Sequence, residues 1–85
     1  AEMKVLYFAW LRERLNRGED EVFPPPSVAT VSDLIDWLAA RDEVFALATE
    51  KRTLIKAAVD AKLAPPDTSI IGAQTVALFP PMTGG

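Results

Sequence analysis

The sequence predicts an α+β fold, a mixed sheet of about four to five strands packed on a helix. Three observations carry that reading. Short strand-like runs recur at 4–9, 19–23, 55–60 and 75–79, the first of them alternating and rich in β-branched and aromatic residues. Between the second and third lies a helical stretch with Val31, Leu34, Ile35 and Leu38 on one stripe. Proline groups at 24–26, 65–66 and 80–81 punctuate the segments.

In the first strand, Val5, Tyr7 and Ala9 share one parity and Lys4, Leu6 and Phe8 the other. The lysine marks the second set as the outer face, so Leu6 and Phe8 are apolar residues turned away from the core. They form either a partner surface or a patch that a neighbouring loop covers. Residues 10–16 read as a short helix ended by Gly18, and 19–23 as a second strand stopped by Pro24-Pro25-Pro26, a stiff connector.

Thr30 followed by Asp33 has the form of a capping box: a hydroxyl for one free amide and an acid for another. The stripe Leu34, Ile35, Leu38 faces the core, Asp33 and Asp36 suit the positive end of the helix, and Arg41 suits the other. Trp37 fits either core or flank. A second helical piece covers 43–51, with Val44, Leu47 and Ala48 inward. A third strand at 55–60 is followed after a tight turn by a short fourth at Lys62-Leu63. A turn-rich connection containing Gly72 leads to the last strand, with Val76 and Leu78 inward and Thr75, Ala77 and Phe79 outward. This order matches the ubiquitin-like β-grasp, in which the first and last strands lie side by side in parallel.

Composition narrows the chemistry. The 85 residues make one domain with a net charge of −3, and no basic stripe offers itself to phosphates. Arg12, Arg14 and Arg17 are surrounded by Glu13, Glu19, Asp20 and Glu21, which reads as a solvated face. With no His and no Cys, zinc sites of the usual kind, thiol nucleophiles and Ser-His machinery are absent. No apolar run approaches the roughly 20 residues that span a bilayer, and the first residues lack a signal-peptide layout. The absence of cysteine fits a cytoplasmic protein. The expectation is a domain that catalyses nothing alone and binds no cofactor or metal.

The chemistry-bearing feature is the end: Phe79-Pro80-Pro81-Met82-Thr83-Gly84-Gly85. After Asp67 the only formal charge is the terminal carboxylate. Two glycines can pass a slot too narrow for a side chain, and two prolines keep the preceding segment extended. The sequence therefore divides into a β-grasp domain at 1–79 and a flexible Gly-Gly tail at 80–85, which presents a carboxylate for another enzyme to activate.

The motifs Lys4-Val5-Leu6-Tyr7-Phe8-Ala9, Ala57-Ala58-Val59-Asp60 and Val76-Ala77-Leu78-Phe79-Pro80-Pro81-Met82-Thr83-Gly84-Gly85 resemble the ubiquitin-like sulfur-carrier family, in its molybdopterin synthase small-subunit branch. The likeness runs over nearly the whole chain, and aromatic-Pro-Pro-x-Thr-Gly-Gly is its specific part. The resemblance implies that an adenylating enzyme spends ATP to join AMP to Gly85, and that a sulfur donor then makes a thiocarboxylate. It implies insertion of the tail into a large subunit, within a heterotetramer, where sulfur passes to a cyclic pterin precursor. Gly85 would carry the reacting atoms and Gly84 the slender neck. Pro80, Pro81, Met82 and Thr83 would thread into partner pockets, and Phe8, Leu63 and Phe79 would dock. Two positions depart from the family pattern: Ile71-Gly72-Ala73-Gln74 replaces an acidic turn, and Asp60 stands where Asn is common. Other outlets for the same tail are a sulfur carrier for thiamin thiazole or tRNA thiolation, a protein modifier, and a binding module without tail chemistry.

Overall fold

The computed structural model describes residues 2–81. Its strands are β1 (Met3–Tyr7), β2 (Glu19–Val22), β3 (Lys56–Val59), β4 (Lys62–Ala64) and β5 (Thr75–Phe79). The helices are α1 (Ala9–Leu15), α2 (Val31–Arg41) and α3 (Glu43–Ala48), with a 3₁₀ turn at Arg52–Leu54. The strands form one sheet in the order β2-β1-β5-β3-β4. β5 lies at its centre, parallel to β1 with Val5 opposite Val76 and Tyr7 opposite Leu78. The other pairings are antiparallel. This is the ubiquitin-like β-grasp arrangement that the element order predicts.

One face of the sheet supplies Val5, Tyr7, Ala57, Val76 and Leu78 to the core, against Val31, Leu34, Ile35 and Leu38 of α2. Helix α2 starts where Thr30 predicts it. The Asp33 amide donates to Thr30 Oγ1 at 3.1 Å, and the Thr30 amide donates to Asp33 Oδ2 at 3.2 Å. The next free amides find carbonyls of the 65–69 loop: Val31 donates to Thr68 (3.0 Å) and Ser32 to Pro66 (2.9 Å). Pro65 and Pro66 thus follow the end of β4, and the Pro66 and Thr68 carbonyls seat the start of α2. At the far end the Arg41 guanidinium lies 4.2 Å from the Trp37 ring centre, and Trp37 is a half-buried flank packed on the core.

Four sequence expectations are corrected. Helix α1 ends at Asn16, which takes the left-handed conformation (φ 57°), and not at Gly18; asparagine is the residue after glycine best suited to that cap. Ala9 does not extend β1 on its inner face; it turns to φ 55°, opens α1 and is exposed. Val44 and Leu47 of α3 point outward, at 52% and 67% exposure, while Phe45 and Ala48 are buried. The extended backbone of Asp42 (φ −149°, ψ 110°) breaks α2 from α3 and resets the helical phase, and Phe45 fills the core beside Tyr7 at 6.1 Å between ring centres. Arg17, finally, is not part of a solvated face. Its Nε reaches Asp20 Oδ2 at 2.8 Å and its Nη2 reaches Asp42 Oδ2 at 3.1 Å, while the Tyr7 hydroxyl donates to the same Asp20 oxygen at 2.8 Å.

That network makes the α2–α3 junction sensitive to acid. The amide of Phe45, then the Arg17 guanidinium, hold the Asp42 carboxyl below the usual carboxylate range. A depressed folded-state pKa means stability that is complete above the unfolded value, about 3.9, and lost as pH falls through the folded one. We expect Asp42→Ala to lower the melting temperature at pH 7 and to make the loss between neutral pH and pH 3 shallower than in the parent. Parallel curves for the two proteins would contradict this.

Candidate functional site

The β3–β4 hairpin sets the register of the site. Its two turn residues, Asp60 and Ala61, both have positive φ (47° and 72°), as a two-residue type I′ loop requires. Asp60 Oδ1 accepts from the amides of Gln74 (2.9 Å) and Thr75 (3.0 Å), and its own amide donates to the Thr75 carbonyl (2.9 Å). One side chain therefore closes a tight turn and fastens the beginning of β5. An asparagine amide oxygen can accept the same two hydrogen bonds. Asp60→Asn should change unfolding free energy by less than about 0.5 kcal/mol. Asp60→Ala should cost about 1–3 kcal/mol, from the two hydrogen bonds that its carboxylate accepts. Equal losses in a denaturant titration would refute the clip.

The connection before β5 turns at Gly72 (φ 79°), with the Ala73 amide donating to the Ile70 carbonyl at 3.0 Å. No acid of its own lies in that turn, but the Asp60 carboxylate reaches it from the hairpin.

On the outer sheet face, register joins residues far apart in sequence. Leu6 lies opposite Ala77, Ala77 opposite Ala58, and Ala58 opposite Leu63, an apolar row across β1, β5, β3 and β4. One row nearer the end of β5, Phe79 lies opposite Lys56, and the Phe8 amide donates to the Leu78 carbonyl at 3.2 Å, which brings Phe8 level with Phe79. Phe8 is 46% and Leu63 78% exposed, and Phe79 is half-buried. The three proposed docking residues thus share one face, as the parity of Phe8 and Phe79 predicts; among the described residues no loop covers Phe8. Ala58 and Ala77 complete the patch and escape notice in the sequence, because alanine carries no distinctive apolar signal.

Beyond this patch the face becomes charged. Glu19 lies opposite Leu6 and Glu21 opposite Lys4, with Lys4 Nζ 3.7 Å from Glu19 Oε2. Glu2 beside Glu21 pushes the latter's carboxyl above its usual range. The apolar side of the face is therefore the side from which Pro80 and Pro81 leave β5, both half-buried. Met82, Thr83, Gly84 and Gly85 lie outside the described residues.

Among the described residues no group of three or more His, Cys, Asp or Glu is placed to hold a metal ion, and no helix is long and apolar enough to cross a membrane. What the geometry offers is an exposed apolar patch beside the point where the last strand ends. Residues 5–85 match the ThiS family, through the final glycine.

The chain belongs to the ThiS family.

Within and around that family, the chain is 40% identical over 86 residues to a protein of Escherichia coli (strain K12) named molybdopterin synthase sulfur carrier subunit. That alignment covers 98% of this chain and 99% of the relative. A protein of the same name from Haemophilus influenzae is 34% identical over 83 residues, with the same coverage of both chains. Among solved structures, SAMP1 from Haloferax volcanii superposes with a TM-score of 0.73 at 26% identity, covering 100% of both chains. The ThiS family match and this superposition agree with the β-grasp topology described above.

Proposed function

We propose that the chain is the sulfur-carrier subunit of a molybdopterin synthase, with the Gly85 carboxylate as the group that carries sulfur. The observation that carries this reading is the near-full-length match to two relatives of that name, together with a family match that runs to Gly85. Relatives of the thiamin or tRNA branches would leave the tail chemistry unchanged and alter only the acceptor.

The chemistry follows from what a carboxylate lacks. Its oxygen is a poor leaving group, so an adenylating partner joins the Gly85 carboxylate to AMP and releases pyrophosphate from ATP. Sulfide-level sulfur from a donor then displaces AMP and leaves a thiocarboxylate. That sulfur is ionised at neutral pH and needs no neighbouring base, which suits a chain without His or Cys. In the large subunit the sulfur attacks a carbon of the cyclic pterin precursor as the carbon–oxygen bond there breaks and that oxygen leaves. Water then cleaves the acyl–sulfur bond, the sulfur stays on the pterin, and the carboxylate returns. A second loaded carrier repeats the step at the neighbouring carbon.

The fold supports this division of labour. β5 sits in the sheet centre, so the tail root is anchored on both sides by β1 and β3. The six residues 80–85 reach at most about 20 Å beyond it, which obliges a partner to press against this end. Holding such an arm costs roughly 1–2 kcal/mol per residue, a cost that Pro80 and Pro81 reduce in advance. Phe8, Leu63 and Phe79 provide the apolar contact that offsets the rest.

Two measurements test this. Loaded carrier, mixed with the large subunit and the cyclic pterin phosphate, should yield the dithiolene product; transfer only to a thiazole- or tRNA-modifying acceptor would move the chain to the other branch. Phe79→Ala should weaken binding to the large subunit about tenfold or more while lowering the melting temperature by a few degrees at most. The reverse pattern would make Phe79 a core residue.

A further inference from the structure

Helix α3 exposes Leu47 at 67% and the 3₁₀ turn exposes Leu54 at 42%, although either could have been polar at no cost to the core. Both line a groove of about 360 Å³ whose opposite wall is Trp10 and Arg14 of α1, with Lys51 and Glu50 at its rim. The Arg14 guanidinium lies 5.3 Å from the Trp10 ring centre. Neither Arg14 nor Lys51 forms an ion pair among the described residues.

The position of this groove follows from the register. Trp10 comes two residues after Phe8, which is level with Phe79; Leu54 comes two residues before Lys56, which pairs with Phe79. Both walls therefore begin at the end of the sheet from which Pro80 leaves, on the helical side rather than the outer face. Apolar surface thus lies on both faces toward this end of the sheet, with Phe8 and Phe79 on the outer face and Trp10, Leu47 and Leu54 on the helical side.

We propose that this groove is the helical half of a docking collar, and that it seats the large subunit of the synthase through apolar side chains flanked by carboxylates. The proposal rests on the sulfur-carrier reading. Three features select that occupant. The two relatives are named as subunits, and lasting subunit contacts are larger and more apolar than passing encounters with an activating enzyme. The two cations that line the groove, Arg14 and Lys51, in no ion pair among the described residues and set against the one acid Glu50, favour an acidic border on the partner. A second copy meeting the same groove face to face would set those cations against each other.

The test uses the full chain, its purified large subunit and its adenylating enzyme. Leu47→Glu with Leu54→Glu should weaken binding to the large subunit about tenfold or more, with thiocarboxylate loading at the parent rate. Lys51→Glu, a rim change that spares the packing, should weaken the same binding and lose its effect at high salt, and it decides the matter if the double variant folds poorly. Parent-like affinity in both variants overturns the collar, as does a loss confined to the loading step, which would assign the groove to the activating enzyme. A parent chain that loads and transfers normally beside such variants leaves the carrier reading intact. A parent chain that never loads overturns both.

Discussion

Removing Gly85 should abolish sulfur transfer and leave the melting temperature of the domain unchanged. The shortened chain still ends in a glycine carboxylate, so the loss would come from position rather than chemistry. The carboxyl carbon retreats by about 3.3–3.6 Å, the length of one extended residue. Misplacement of a reacting group by about 1 Å can already cost a hundredfold in rate. The fold should not notice, because among the described residues the buried core reaches no further than Leu78. Transfer at the parent rate by the shortened chain would sink the carrier reading. A parallel fall in melting temperature would show instead that the terminus is a structural element.

The second large effect is expected at Leu34, which is fully buried at the middle of the α2 stripe. Leu34→Ala should cost about 2–5 kcal/mol, the lost transfer energy plus that of the cavity left behind. Domains of this size hold about 5–15 kcal/mol in all, so the variant should melt well below the parent, by about 4–8 °C for each kcal/mol lost. Leu47→Ala, on the exposed side of α3, should cost less than about 0.5 kcal/mol. Comparable losses at the two positions would contradict the helix faces described here. The contrast also separates the two roles of apolar residues in this chain, since Leu34 holds the fold and Leu47 is free for a partner.

These two leucines also mark where sequence legibility ends. Helix α2 spans 11 residues, three turns, and its cap, stripe and terminal arginine agree with one another, so its buried face can be read directly. Helix α3 has six residues. Fewer than two turns cannot choose between phases, and the break at Asp42 removes the phase of α2 as a guide. The inward assignment of Val44 and Leu47 fails for that reason, and Phe45 takes the core position. The bounds of β5, 75–79, are legible because strict alternation lies between a glycine-containing turn and two prolines. Asn16 as the cap of α1 is not legible, because Gly18 two residues on is the stronger signal.

The site divides along the same line. The outward parity of Phe8 and Phe79 follows from the lysine and threonine that share their faces. Leu63 enters through the family resemblance, and only the pairing Ala58 with Leu63 places it beside them. Arg17 reads as solvated because its partners, Asp20 and Asp42, lie 3 and 25 residues away, and the second distance is invisible before folding. The groove of Trp10, Leu47 and Leu54 has no sequence signature, since three segments must fold before its walls meet.

The central claim is that Gly85 is the atom-bearing end of a sulfur carrier. Its most direct test is the intact mass of the chain after incubation with ATP, the adenylating enzyme and a sulfur source. The account predicts a gain equal to one oxygen exchanged for one sulfur, located by fragmentation on Gly85 and absent when ATP is withheld. An unchanged mass, with an adenylating enzyme shown to load another carrier in the same mixture, would contradict it.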